Sequence, residues 1–237
     1  SAAVATSAST ALLTAFAMPE ARVIALPETA AGGFDTQAAA LLAPVIETAD
    51  AVLIGPGMLD DPATQRLVAE LLPLLAGRPV LLDALAMNLL RGSERIETPV
   101  LLTPHAGEMA HLTGASKESI LAGPRQAALE AAQRWNCVVA LKGATTWIAT
   151  PQGRLWRHEE ANCGLATSGS GDVLAGTMAG LAARGAPLEQ AAAWGVVLHA
   201  HAGAQLAGRH GDVGFLAREL PGEIPAALQA LQGSARG

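Results

Sequence analysis

NCGLATSGSGDVLAG, residues 162–176, decides how this chain is read. Small residues and glycines end in one carboxylate, Asp172, and an apolar run follows. Gly169, Ser170 and Gly171 can adopt backbone conformations closed to bulky residues. A helix beginning at Asp172 would leave its first amides without internal partners. Together with the helix dipole they would form an anion hole that a phosphoryl group could approach closely. A carboxylate there would repel a bound phosphate, yet it can take a proton from a hydroxyl attacking phosphorus. Taken alone, GSGD is equally a plain helix cap, where Asp and Gly are common.

Upstream, short apolar runs alternate with helix-like segments. Residues 23–26, 51–54, 80–83, 100–102 and 137–141 read as strands, each closed by Gly, Asp or Pro. Continuous apolar runs of this kind suit parallel strands buried on both faces. Between them, DDPATQRLVAELLPLL opens with Asp61 as a cap and Pro62 in the first turn, and GPRQAALEAAQRW uses Pro124 the same way. ATTWIATPQGRLWRH reads as two strands joined by a turn at 151–153, an antiparallel edge. From Asp172 the chain reads as helices: one stopping at Gly185, one over 187–208 and one over 224–231. The alternation predicts an α/β fold, a three-layer αβα sandwich with a mostly parallel central sheet and an antiparallel edge.

Composition agrees. Of 237 residues, 51% are hydrophobic and 15% charged, so a large core can form. Aromatics are 3% and Tyr is absent, which leaves Ala, Leu and Val to build that core. A net charge of −6 argues against a nucleic-acid surface without excluding phosphate binding by backbone amides. Cys137 and Cys163 have no metal or redox spacing and read as free thiols of a cytoplasmic protein. No apolar run approaches the ~20 residues of a membrane span. The start SAAVATSAST lacks the Met and basic region of a signal peptide.

The longer string NCGLATSGSGDVLAGTMAGLAARG closely resembles the signature of the ribokinase-like superfamily, and most of all its ADP-dependent NAD(P)H-hydrate dehydratases. Further segments fit in the same order: ADAVLIGPGM, RPVLLDALAMNLL, LLTPHAGEMAHLTG, VVALKGATTWIATPQGRLW, GVVLHAHAG and GFLARELPGEIPAAL. The resemblance implies one ribokinase-like domain over 1–237 that lacks the family's first strand, glycine-rich turn and first helix. That turn is expected to supply a substrate-binding residue. Leu85 stands where the family has a second Asp, with Asp83 and Asn88 retained, and Ala204 stands where an Asp is usual.

The implied activity is dehydration of hydrated NADH or NADPH. ADP (or ATP), with nucleotide-bound Mg2+, phosphorylates the ring hydroxyl, and phosphate is then eliminated. Hydroxide is a poor leaving group and phosphate a good one, so kinase machinery can drive a dehydration. Asp172 becomes the base. Gly169, Ser170 and Gly171 offer the anion hole, and Asn162 orients phosphates or the water shell of magnesium unless it is only a turn residue. Lys142, Gly143, Ala144, Thr145 and Thr146 match the segment holding ADP; otherwise Lys142 is a solvated charge at a strand end. Gly55, Gly57, His105, Asp83 and Asn88 match the substrate side. Glu108 is either part of that side or an acid favouring a helix dipole. The family likeness also implies a homo-oligomer, a tetramer; the charge, the lack of a spanning run and the free thiols given above lead to the expectation of a cytoplasmic protein with neither nucleic-acid nor membrane partners.

His199 and His201 lie about 200° apart on a helix, so no metal pair is expected and His199 reads as a packed or supporting group. Gly176 and Gly180 read as a site of close helix packing. Two other functions remain open. One is a kinase for a thiazole or pyrimidine alcohol, against which His105 in TPHAGE, where those kinases carry Asn, is the discriminator. The other is a catalytically silent nucleotide-binding or partner-binding module.

Overall fold

The computed structural model describes residues 2–93, 95–159 and 162–234. Six strands form the main sheet in unbroken chain order: β3 (Val52–Ile54), β4 (Val80–Leu82), β5 (Val100–Leu102), β6 (Val138–Leu141), β7 (Thr145–Ala149) and β8 (Leu155–Glu159). The first four pair in parallel and the last two add antiparallel. The apolar runs and the hairpin are therefore where the sequence placed them.

Alternation along these strands sorts the core into two halves. Val80, Leu82, Val100, Leu102, Val139 and Leu141 face one layer. That layer contains α2 (Ala38–Ile46), α3 (Asp61–Leu74), a 3₁₀ turn over Ala84–Leu90, α4 (Ala106–Thr113), α5 (Lys117–Ala122) and α6 (Pro124–Trp135). Leu81, Leu101, Val138, Ala140 and Ile148 face the other layer, built from α7 (Ser170–Ala183) and α8 (Leu188–His210). A final helix, α9 (Leu220–Ser234), packs on α7 and α8 and runs longer than expected. No helix among the described residues is long and apolar enough to cross a membrane.

Some expectations are corrected. The strand read at 23–26, here β2 (Arg22–Leu26), is not part of the main sheet. It pairs in parallel with an unanticipated β1 (Ala3–Ser7), joined by α1 (Ala8–Ala17), as a separate two-stranded unit. On α1, Leu12, Leu13 and Phe16 are 81%, 70% and 88% exposed. The cap of α3 is Asp60, not Asp61: at φ 61° its Oδ1 accepts from Ala63 N at 3.3 Å. Asp61 instead accepts from Asn88 Nδ2 at 2.9 Å.

Gly176 and Gly180 do not mediate close packing either, since a side chain at either would meet nothing. The close approaches belong to α8. A Cβ on Gly195 would lie 2.5 Å from Met178 Cγ, and one on Gly203 2.7 Å from Leu165 Cδ2.

Candidate active site

Strand order brings the motifs together. Gly55, Asp83, Thr103 and Lys142 each follow the last residue of β3, β4, β5 and β6, so they line the carboxyl ends of four neighbouring parallel strands in that order. Ligands of open α/β sheets bind along this edge. The backbone continues the pairing past the strands: Lys142 N donates to Pro104 O at 2.7 Å, and His105 and Lys142 form a parallel bridge.

Gly55 and Gly57 sit in a tight turn closed by Met58 N donating to Gly55 O at 3.0 Å. Pro56 and then Gly57 at φ 72° are the residue types such a turn selects. Gly55 has a second reason: a Cβ there would lie 1.8 Å from Asp83 O. Beside that contact Ala84 is held at φ 48°, unfavourable for a residue with a side chain.

Asp83 is 3% exposed, and its Oδ1 is engaged twice. Thr103 Oγ1 donates to its Oδ1 at 2.7 Å, and Lys142 Nζ lies 3.1 Å from the same oxygen. With its side chain 18% exposed, Lys142 is not a solvated strand-end charge. Its ammonium also reaches Gly171, whose Cβ would stand 3.3 Å from Nζ. Glu108 Oε2 lies 4.0 Å from the same Nζ. Thr103 was not anticipated; a buried Thr ending a parallel strand beside an Asp-terminated neighbour is the signal that could have found it.

His105 is the cap of α4. Its Nδ1 accepts from Gly107 N at 3.0 Å and Glu108 N at 3.1 Å, while Glu108 Oε2 accepts from His105 N at 2.8 Å. Nδ1 is thereby the lone-pair nitrogen and Nε2 carries the hydrogen. His105 thus offers a hydrogen-bond donor outward. Glu108 takes part in the cap of α4, and its Oε2 also lies 3.7 Å from His105 Nε2 and 4.0 Å from Lys142 Nζ.

The helix read as starting at Asp172 begins at Ser170, placing Asp172 in its first turn. Gly169 at φ 85° turns the chain into it. Ser170 N donates to Thr167 O at 3.2 Å and Val173 N to Gly169 O at 3.1 Å. The amides left to point out of the helix end are those of Gly171 and Asp172. The Ser170 side chain turns inward, its Oγ 3.0 Å from His199 Nε2. Burial and the Asp83 carboxylate raise Asp172 above the usual carboxylate range, and Lys142 opposes them. Burial pushes His199 down to about 4, against the Ser170 hydrogen bond and with the Lys142 charge.

The remaining candidates sit around this centre. Asn162 Oδ1 accepts from Gly164 N at 2.9 Å, a turn contact. Gly143 and Ala144 form the exposed link from β6 to β7, where Thr145 is half-buried and Thr146 buried. Asn88 is engaged at α3 through Asp61. Among the described residues no three His, Cys, Asp or Glu side chains gather as a metal site.

Known proteins resemble this chain over most of its length. A family model for NAD(P)H-hydrate dehydratase matches residues 2–226. The ADP-dependent (S)-NAD(P)H-hydrate dehydratase of Xanthomonas campestris is 47% identical over 227 residues, 96% of this chain and 78% of that one. The bifunctional NAD(P)H-hydrate repair enzyme of Moorella thermoacetica is 41% identical over 90% of this chain, which spans 41% of that enzyme. Among solved structures, the ADP/ATP-dependent NAD(P)H-hydrate dehydratase of Bacillus subtilis, co-crystallised with ATP and Mg2+, superposes with a TM-score of 0.79 at 28% identity, covering 96% of this chain and 78% of that one. A hydroxyethylthiazole kinase of Pyrococcus horikoshii shares the fold, with a TM-score of 0.64 at 20% identity over 94% of this chain and 87% of that one.

Proposed function

The chain belongs to the NAD(P)H-hydrate dehydratase family, and on that premise we propose that it repairs hydrated NADH or NADPH at the expense of ADP (or ATP). The observation that carries this reading is the Asp172 carboxylate beside the open amides of Gly171 and Asp172, with the Lys142 ammonium against Gly171. A base, an anion hole and a cation converge there, as phosphoryl transfer to a hydroxyl requires.

Asp172 accepts the proton of the ring hydroxyl as its oxygen attacks the terminal phosphorus of ADP. A new P–O bond forms, the bridging P–O bond breaks and AMP leaves. The two amides and Lys142 stabilise charge on the transferring group. The lone pair of the ring nitrogen then expels phosphate from carbon, and loss of a proton from the neighbouring carbon restores the dihydropyridine. Magnesium would enter with the nucleotide substrate and would offset phosphate charge there. The donor set suits this, because Asp83 Oδ1 is already engaged by Thr103 and Lys142. His105 contacts the hydrated dinucleotide through Nε2–H, an imidazole donor facing an acceptor such as a phosphate or amide oxygen. The 142–146 segment, with Gly171, carries ADP; Gly55, Gly57, Asp83 and Asn88 border the acceptor side. The working form in this reading is a cytoplasmic homo-oligomer, a tetramer, which sedimentation would test.

The deciding experiment incubates purified protein with hydrated NADH, Mg2+ and either ADP or ATP, and follows the reduced-nicotinamide absorbance. Recovery that requires the nucleotide is the expected result. Nucleotide consumption with a thiazole or pyrimidine alcohol, and no recovery from the hydrate, would instead make the chain a small-molecule kinase.

A further inference from the structure

Helix α7 starts without a side-chain cap, as do α1, α2, α6 and α8, whereas in α3, α4 and α5 Asp60, His105 and Ser116 accept from first-turn amides. An uncapped start with glycine on either side of Ser170 should fray. A capping side chain would suppress fraying only by occupying the amides that a phosphoryl group needs. The restraint on α7 comes from behind. His199 Nε2 lies 3.0 Å from Ser170 Oγ and 3.1 Å from Ser170 O, and both residues are buried. Because Ser170 O can only accept, Nε2 carries the hydrogen of that bond, and Ser170 Oγ lies within reach of the same hydrogen.

The neighbouring packing makes this a rigid seat. Gly195, His199 and Gly203 recur every four residues along α8, one face of a helix. Gly195 receives Met178 and Gly203 receives Leu165, each closer than a Cβ would allow. His199 is the polar contact in an otherwise apolar seam, placed at the first residue of α7.

We infer that His199 is a positioning residue for phosphoryl transfer: it holds Ser170 from the buried side so that the amides of Gly171 and Asp172 stay open and aimed at the incoming phosphate. This rests on the dehydratase reading for its turnover consequence but not for its binding consequence.

The test uses His199→Phe, His199→Gln and Ser170→Ala in the full chain. Gln can place an amide nitrogen near the position of Nε2, whereas Phe keeps volume and loses the hydrogen bond. For His199→Phe we expect kcat to fall about ten- to hundred-fold with the KM for hydrated NADH unchanged, a partial recovery in His199→Gln, and a loss of about tenfold in Ser170→Ala. Nuclear magnetic resonance titration with ADP should move the Gly171 and Asp172 amide signals in the parent and move them less, at weaker affinity, in the Phe variant. If the Phe and Gln variants have lowered melting temperatures but parental ADP responses at these amides, His199 only packs and the inference is overturned. If the parent fails to turn over the hydrate while ADP still moves these amides in the parent and not in the Phe variant, the functional reading falls and this one stands.

Discussion

Lys142 Nζ lies 3.1 Å from Asp83 Oδ1, although 59 residues separate the two in the chain. The Asp83 side chain is 4% exposed, so removing the ammonium strands a buried carboxylate. Lys142→Met should therefore cost about 3 kcal/mol of stability, and Asp83→Asn added to it should recover most of that. ADP affinity should fall at least tenfold in Lys142→Met, with affinity for the hydrate nearly unchanged, about the loss of one charged hydrogen bond. Urea titration and calorimetry measure the two effects; equal stabilities of single and double variants would show that the pair is not coupled.

For Asp172, replacement by Asn should preserve fold and nucleotide binding and lower turnover by ~10²–10⁴-fold. A base works unprotonated, so activity is lost as pH falls through the Asp172 value, which lies above the ordinary 3.8. Asp83→Asn removes a repelling charge and should move this acidic limb to lower pH. Lys142→Met removes the attracting one and should move it higher. Profiles of kcat at saturating ADP would separate the two directions, and limbs that do not move would dissociate Asp172 from the chemistry.

His105 does two jobs that substitution can part. His105→Ala should lose the α4 cap, about 1 kcal/mol, and raise the KM for the hydrate about ten- to hundred-fold while ADP affinity holds. His105→Asn keeps a capping acceptor but shortens the reach of the outward donor, so stability should return without the KM. An Asn variant with parental KM would confine His105 to capping.

His199 makes a prediction in acid. Its folded-state value near 4 lies below the ordinary 6.5, so between these values the unfolded chain binds a proton that the native one refuses. The stability this site contributes is full above pH 6.5 and is lost as pH falls toward 4, at most roughly 3 kcal/mol. Lys142, the charge acting on His199, disfavours protonation further. Unfolding free energies of the parent from pH 4 to 8 should slope accordingly, and His199→Gln should flatten that window.

Legibility followed burial. The strands β3 to β6 are apolar runs because both faces are covered, and such runs can be read without knowing their partners. The β1–α1–β2 unit escaped because AVATS is short, made of small residues and holds one β-branched apolar residue, Val4, and because α1 buries no residue, so no core-facing period marks it. Helix α2 is apolar nearly throughout and contains Pro44, which hides its periodicity too. In the site, Asp172, Lys142 and His105 were visible as motif residues. The pairing of Lys142 with Asp83, the Thr103 hydroxyl beneath it and the inward turn of Ser170 were not, since each depends on which strand or helix becomes a spatial neighbour.

The main sheet places strands in space in the order the ribosome delivers them. Each strand can join the one made just before it, and no early strand waits for a late partner. Electrostatics follows a different clock. Asp83 and Thr103 arrive with β4 and β5, whereas the compensating ammonium arrives only at the end of β6. A nascent chain that has finished β5 therefore carries the Asp83 carboxylate without its compensating charge. Addition of β6 brings the Lys142 ammonium to Asp83 and extends the sheet together, whereas α7, which carries Asp172 and covers the other face of the sheet, comes later in the chain.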